Sequence, residues 1–387
     1  MNGIFINTFY ENASVLRWEQ MEDGAIDLDV IPDHERFSPN NQVTHLNFKI
    51  EASPELVGKK ITFRFRHLNG CWNSTPYKAF MANDMVVAVS YDGQSWENID
   101  YALSEHSGCS KEFVIELKSE TTQVARLVPY ADSHLQKTIS EIKDEKDVRV
   151  YNFASTVEGR PLEMIEIGNP DAKNRILLRG RAHPWESGGS WLLEGLMRHL
   201  ALGDGEEAAE IKKDVCFSIL PMAAKDGVYR GMTRFNIKGI DLNRNWAPDT
   251  PPDPKLAPEN AGLLNWLYEQ KRLNKLPQMA ICIHNDSQGG LHLAYCENEN
   301  DPYRIRMLRF ESILKKRTWF TEGATNPEFH NPGSFSDGLK ELFGIDAMVF
   351  ELRAIKADGL GYAPLHDDWI NMGQNFAKVV WDYFKEK

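Results

Sequence analysis

His183 and Glu186, in the run Arg181-Ala-His-Pro-Trp-Glu186, set a histidine and a carboxylate three residues apart. They follow an apolar, strand-like stretch at 176–178 and open a helix-like one, a junction from which both side chains can turn toward one ion. Such a pair also occurs on ordinary surfaces, so its meaning depends on what accompanies it. Residues 279–283 are apolar and deliver His284, and residues 347–350 deliver Glu351. Residues 216–220 lead into a loop that carries Arg234, Asp241, Asn243 and Arg244. In an open α/β sheet the carboxyl ends of the strands line one crevice, so residues far apart in sequence can converge there.

The chemistry that unites these residues is metal-assisted hydrolysis. A catalytic zinc ion takes three protein ligands and keeps one position open, and two histidines with one glutamate form a set used for peptide hydrolysis. His183, Glu186 and His284 supply that set for one Zn2+ per chain. Zinc lowers the pKa of its water from about 15.7 toward about 7, which makes that water the expected nucleophile, and a carboxylate must still carry its proton to the leaving amine. Glu351 is the candidate general base; its ordinary alternative is a salt bridge to Arg353 on the same strand end. Arg234 fits a cation aimed at the developing oxyanion. Asn243 and Arg244 are suited to clamping a free carboxylate, the mark of an exopeptidase. Asp241 is placed to accept a hydrogen bond from the non-ligating nitrogen of His183.

Four ordered motifs resemble the zinc metallocarboxypeptidase family, the funnelins: His183-x-x-Glu186, Gly239-Ile-Asp-Leu-Asn-Arg-Asn-Trp246, Ile283-His-Asn-Asp-Ser-Gln288 and Phe350-Glu-Leu-Arg353. The resemblance covers roughly residues 128 to 387. It implies metal ligation by His183, Glu186 and His284, carboxylate anchoring by Asn243 and Arg244, oxyanion support from Arg234, and Glu351 as base. One family element is absent, a mobile tyrosine that closes over the C-terminal residue. Phe329 stands at its position with His330 beside it, and His330 could donate a similar hydrogen bond; Tyr362 lies after Glu351 and does not match by order. Ser336 falls where the family's specificity pocket is read, next to Asp337, and its small neutral side chain leaves the preferred residue open.

These residues need elements to hold them. From residue 127 onward, strand-like runs alternate with helical ones, which predicts a mixed, mostly parallel sheet covered on both sides. Leu135, Ile139 and Ile142 share one helical face; helical patterns also cover 191–200, 261–273, 302–314 (with Asp301 as cap and Pro302 in the first turn) and 369–383. The Pro-rich stretch 247–254 reads as a surface loop. Residues 1–126 differ, with alternating strands expected at 26–30, 45–50, 61–65, 85–91 and 111–117. A β-sandwich domain over 1–126 followed by an α/β catalytic domain over 127–387 is the expected organisation. Trp72 and Trp96 then read as sandwich-core aromatics, with carbohydrate binding as the other reading. A β-rich domain before the catalytic one looks most like the cytosolic carboxypeptidase branch of the family.

Composition narrows the partners. Of 387 residues, 44 are Lys or Arg and 56 Asp or Glu, a formal charge of −12, which argues against nucleic acid or anionic membranes. No stretch approaches the roughly 20 apolar residues that span a bilayer, and the N-terminal residues lack a basic region before a long apolar core. The five cysteines (Cys71, Cys109, Cys216, Cys282, Cys296) are scattered and odd in number, the pattern of reduced thiols, and a cytoplasmic location is expected. The leading reading is a zinc exopeptidase acting on the C-terminus of a peptide or protein. A zinc amidohydrolase acting on cell-wall peptides or N-acyl amino acids is the enzymatic alternative. A sandwich-based binding module beside a degenerate hydrolase is the non-enzymatic one.

Overall fold

Period-two patterning in the first third of the chain produces two facing sheets. The computed structural model describes residues 3–79, 87–99, 104–106 and 110–385. Among these, one five-stranded sheet contains Ile4–Asn7, Asn47–Ala52, Thr121–Ala125, Ala88–Ser90 and Glu97–Asn98; the other contains Ser104–His106, Ser110–Glu116, Lys60–Arg66, Ile26–Val30 and Val15–Gln20. Their inward residues close one core, where Phe48 of the first sheet meets Phe63 of the second at 5.7 Å between ring centroids. The expected run at 85–91 is a strand over Ala88–Ser90, with Met85 and Val86 outside the described residues, as is Cys109. A small sheet built from Asp33–His34, Asn41–Gln42, Asn69–Trp72 and Thr75–Lys78 was not expected. Two-residue strands and a polar Asn-Ser turn carry too little periodicity to read.

The second region is a seven-stranded mixed sheet flanked by helices. Its four central strands, Val215–Leu220, Asn174–Gly180, Met279–Asp286 and Asp346–Arg353, run parallel, and antiparallel strands flank them on either side. These central strands read as nearly unbroken apolar runs because helices cover both faces. Helices Ser187–Leu202 and His366–Lys385 pack together so closely that a Cβ on Gly195 would lie 2.1 Å from Ile370 O, and one on Gly373 would lie 1.9 Å from Leu192 O. Asp301 caps Pro302–Arg317, its side chain accepting from Tyr303 N at 2.8 Å. Helices Glu206–Asp214, Lys225–Tyr229 and Phe335–Phe343 add to those the periodicity indicated. The two regions are firmly docked: Asn12 N donates to Tyr229 O at 3.0 Å, and Asn12 Nδ2 to Val228 O at 3.0 Å.

Candidate active site

His183 is presented by a turn immediately beyond Asn174–Gly180. Arg181 there has φ 59°, and its fully buried guanidinium donates to Pro184 O at 2.9 and 2.7 Å and to Tyr130 O at 2.9 Å. The turn is thereby closed around the histidine. Glu186 is the residue that precedes helix Ser187–Leu202, and Asn285 Oδ1 accepts from Gly188 N at 3.0 Å to tie that helix start to the neighbouring strand. His284 lies on Met279–Asp286 and Glu351 on the adjacent parallel strand, in direct register with each other. Register alone therefore puts a histidine and a carboxylate side by side.

The side chains of His183, Glu186 and His284 are buried, and their donor atoms all lie within 4.8 Å of one another. His183 Nδ1 is 2.6 Å from Glu186 Oε1, His284 Nδ1 is 2.8 Å from Glu186 Oε2, and the two Nδ1 atoms are 3.1 Å apart. Donors around a tetrahedral zinc at about 2.0–2.2 Å stand only slightly farther apart than this. Glu186 thus faces one imidazole with each of its two buried oxygens. The charge balance also calls for a cation. Burial, the largest influence on Glu186, would raise its pKa, yet the two imidazoles hold it down at about 2. Burial likewise opposes charge on both histidines, but the surrounding acidic groups, with Cys282 beside His284, win and hold their pKa values up. The donor set thus fits zinc.

Behind the donors, His183 Nε2 is 3.0 Å from Asp241 Oδ1, and His284 Nε2 is 3.1 Å from Cys282 Sγ. Asp241 Oδ2 accepts from Arg234 at 3.0 Å (Nε) and 2.7 Å (Nη2), and Oδ1 also accepts from Asn243 N at 2.8 Å. Burial opposes ionisation of Asp241, but Arg234 and His183 hold its pKa well below the carboxylate norm. Glu351 differs. Burial first, then the nearby Asp286 and Glu186, push its pKa well above the usual range against the pull of Arg234, and its Oε2 is buried with no partner among the described residues. Its ordinary alternative is not what the structure holds: Arg353 Nη1 lies 3.2 Å from Asp358 and 3.5 Å from Glu322.

A cavity of about 540 Å³ joins these groups. His183, Glu186, Arg234, Asn243, Arg244, His330 and Glu351 all line it. Asn243 Oδ1 accepts from Phe335 N at 3.1 Å, and burial lowers the pKa of Arg244. His330 is largely exposed on the rim, its ring 4.8 Å from that of Tyr295, and Phe329 packs against His292 at 5.0 Å. Ser336 is not brought to the wall: it is buried in the first turn of Phe335–Phe343, with Oγ 3.2 Å from Ser334 Oγ. Tyr362 bonds Asp368 away from the cavity.

Sequence reasoning missed part of the wall. Gln42, Thr44, Trp72, Tyr77 and Lys78 of the β-rich region line the same cavity. Trp72 is not a sandwich-core aromatic; its ring lies 4.2 Å from the Arg234 guanidinium carbon. Its position before a tight Asn-Ser turn, both residues of which have positive φ, was the available signal. Trp96, by contrast, packs partly buried against the core of the second region.

Residues 135–288 match a family model described as zinc carboxypeptidase. The chain is 32% identical over 183 residues to cytosolic carboxypeptidase 6 of Caenorhabditis elegans, covering 43% of this chain and 39% of that protein. It is 24% identical over 371 residues to cytosolic carboxypeptidase 6 of Homo sapiens, covering 92% of this chain and 67% of that protein. The chain therefore spans well under half of the nematode relative's own length. Its fold is similar to that of a metallo-carboxypeptidase from Burkholderia cenocepacia, with TM-score 0.83 at 18% identity over 99% of each chain.

Proposed function

We propose that the chain, whose residues 135–288 match a zinc carboxypeptidase family model, is a metallocarboxypeptidase that hydrolyses the last peptide bond of a peptide or protein, with one zinc ion held by His183, Glu186 and His284. The observation that carries this reading is the half-buried Glu351, whose Oε2 is buried and unpartnered among the described residues and which stands in register with His284, in a cavity shared with Arg234, Asn243 and Arg244. Zinc in this site supplies Lewis-acid polarisation of the scissile carbonyl and a water of lowered pKa. Glu351, whose proton affinity is raised by burial and by neighbouring carboxylates, takes the proton of the attacking water and passes it to the leaving amine. Arg234, gripped at two nitrogens by Asp241, is held for the charge that develops on the carbonyl oxygen. Asn243 and Arg244 receive the substrate's terminal carboxylate, with the Asn243 side chain oriented by its bond to Phe335 N. His330 on the rim stands in for the family's closing tyrosine.

The amidohydrolase alternative draws no separate support from this site. The relatives' names place those proteins in the cytosol, and among the described residues no helix is long and apolar enough to cross a membrane; a cytosolic location is proposed here too. The test is a panel of peptides with free or amidated C-termini, incubated with the zinc-loaded protein and its Glu351→Gln variant. Stepwise release of single residues from the free peptides alone, lost in the variant by about 10²-fold or more, is the expected result. Internal cleavage, or equal cleavage of amidated peptides, would overturn the exopeptidase reading.

A further inference from the structure

The loop that carries Arg234 is held from outside its own region. Asp33, on the two-residue strand Asp33–His34, is 2% exposed, and its Oδ2 accepts the backbone N–H of Thr233 at 3.1 Å, Arg234 at 2.5 Å and Phe235 at 3.0 Å. Thr233 Oγ1 in turn accepts from Thr44 N at 3.0 Å and His45 N at 3.1 Å. Farther along the same loop, Arg36 N donates to Gly239 O at 2.7 Å, and Arg36 Nε to Lys238 O at 2.8 Å. A carboxylate oxygen that collects successive amides fixes the backbone through them, and so fixes the direction in which the Arg234 side chain leaves. At the far end of that side chain, the Trp72 ring covers the guanidinium while Asp241 grips its edge.

We propose that Asp33 and Trp72 are positioning residues for the hydrolytic reaction: Asp33 sets the backbone from which Arg234 extends, Trp72 covers the guanidinium face, and the site is complete only with the β-rich region docked. The proposal rests on the role given above to Arg234. The arrangement is poorly explained by stability alone. Asp33 Oδ1 is buried without a partner among the described residues, and burial, opposed by the amides and Arg234, leaves the carboxyl pushed up to about 6. A buried, half-satisfied carboxylate is a cost that a merely structural contact could avoid.

The experiment compares kcat and KM on a free-C-terminal peptide, bound zinc, and the NMR order parameter of the Arg234 Nε–H group. The proteins are wild type, Asp33→Asn, Arg234→Ala, the double variant and Trp72→Leu; the last keeps the test open should Asp33→Asn fail to fold. The expected result is a kcat lower by about 10- to 100-fold in Asp33→Asn at unchanged zinc content. In the Arg234→Ala background the same change costs less than about twofold. The Arg234 order parameter should fall from about 0.85 in wild type to below about 0.6 in Asp33→Asn, with a smaller fall in Trp72→Leu. An equal kcat loss with and without Arg234, or a guanidinium that stays rigid in Asp33→Asn, overturns the proposal. Wild type that releases no residue while Arg234 loosens in Asp33→Asn overturns the function proposed above and supports the positioning role.

Discussion

Asp241 lies between the two halves of the site. One of its oxygens meets His183 Nε2 at 3.0 Å and the other binds Arg234, so one carboxylate orients both the proposed metal donor and the proposed oxyanion cation. Asp241→Asn keeps the shape but removes the charge. Zinc affinity should weaken by about 10- to 100-fold, seen in competition with a chelating dye; unchanged affinity would separate Asp241 from the metal donors. At this scale the sequence was informative where a role belongs to a side chain. His183, Glu186, Arg234, Asn243 and Glu351 were each picked out by type and spacing and line one cavity, and His284 has its donor atom within 4.8 Å of those of His183 and Glu186. Asp33 and Arg181 were not, because they act on backbone groups, Asp33 on the amides of the distant 233–235 loop and Arg181 on the carbonyls of Pro184 and of the distant Tyr130, and such bonds leave no trace in residue type or spacing. Ser336 shows the opposite failure. Counting along the chain put it at a pocket wall, yet the first turn of its helix turns it inward, beside Ser334.

Elements were legible in proportion to their periodicity. The parallel strands and the long helices His366–Lys385 and Pro302–Arg317 carry enough turns or apolar run to read. Helix Phe335–Phe343 is short and contains Gly338, although Ser334 at its start and Gly344, φ 68°, at its end are proper caps. Helix Pro258–Arg272 contains a burden that periodicity does not show. Glu259, 2% exposed, accepts long bonds from Val157 N at 3.4 Å and Asn236 Nδ2 at 3.3 Å. Burial raises its pKa from 4.5 to about 7. Between those values the folded protein binds more protons than the unfolded chain, so stability falls as pH rises through the window, by about 3 kcal/mol in all. Glu259→Gln should therefore flatten this slope and raise the melting temperature at pH 8 relative to wild type, with little difference near pH 4.5. An unchanged slope would show that Glu259 is not its source.

Across the whole molecule the two regions share a single site. The division between a β-rich first third and an α/β remainder was visible in the change from period-two to mixed patterning, but the docking between them was not. The small sheet that reaches the cavity is made of strands of two to four residues, and the contacts that it and its flanking residues make with the 233–239 loop run mostly between side chains and backbone. Gly231, φ 66°, shows how close the approach is: a Cβ there would lie 1.9 Å from Ala13 O. No contact between residues so far apart in sequence can be read from local composition. The fold similarity over 99% of each chain to the Burkholderia cenocepacia protein extends across both regions.

The most direct test of the central claim is a zinc titration of metal-stripped protein, read as the release of free amino acid from a peptide with an open C-terminus. The account predicts a rate that climbs in proportion to added zinc, levels off at one ion per chain in the wild type, and stays at the metal-free baseline in His284→Ala. Full activity in the stripped protein, a plateau at another stoichiometry, or a normal titration in His284→Ala would contradict it.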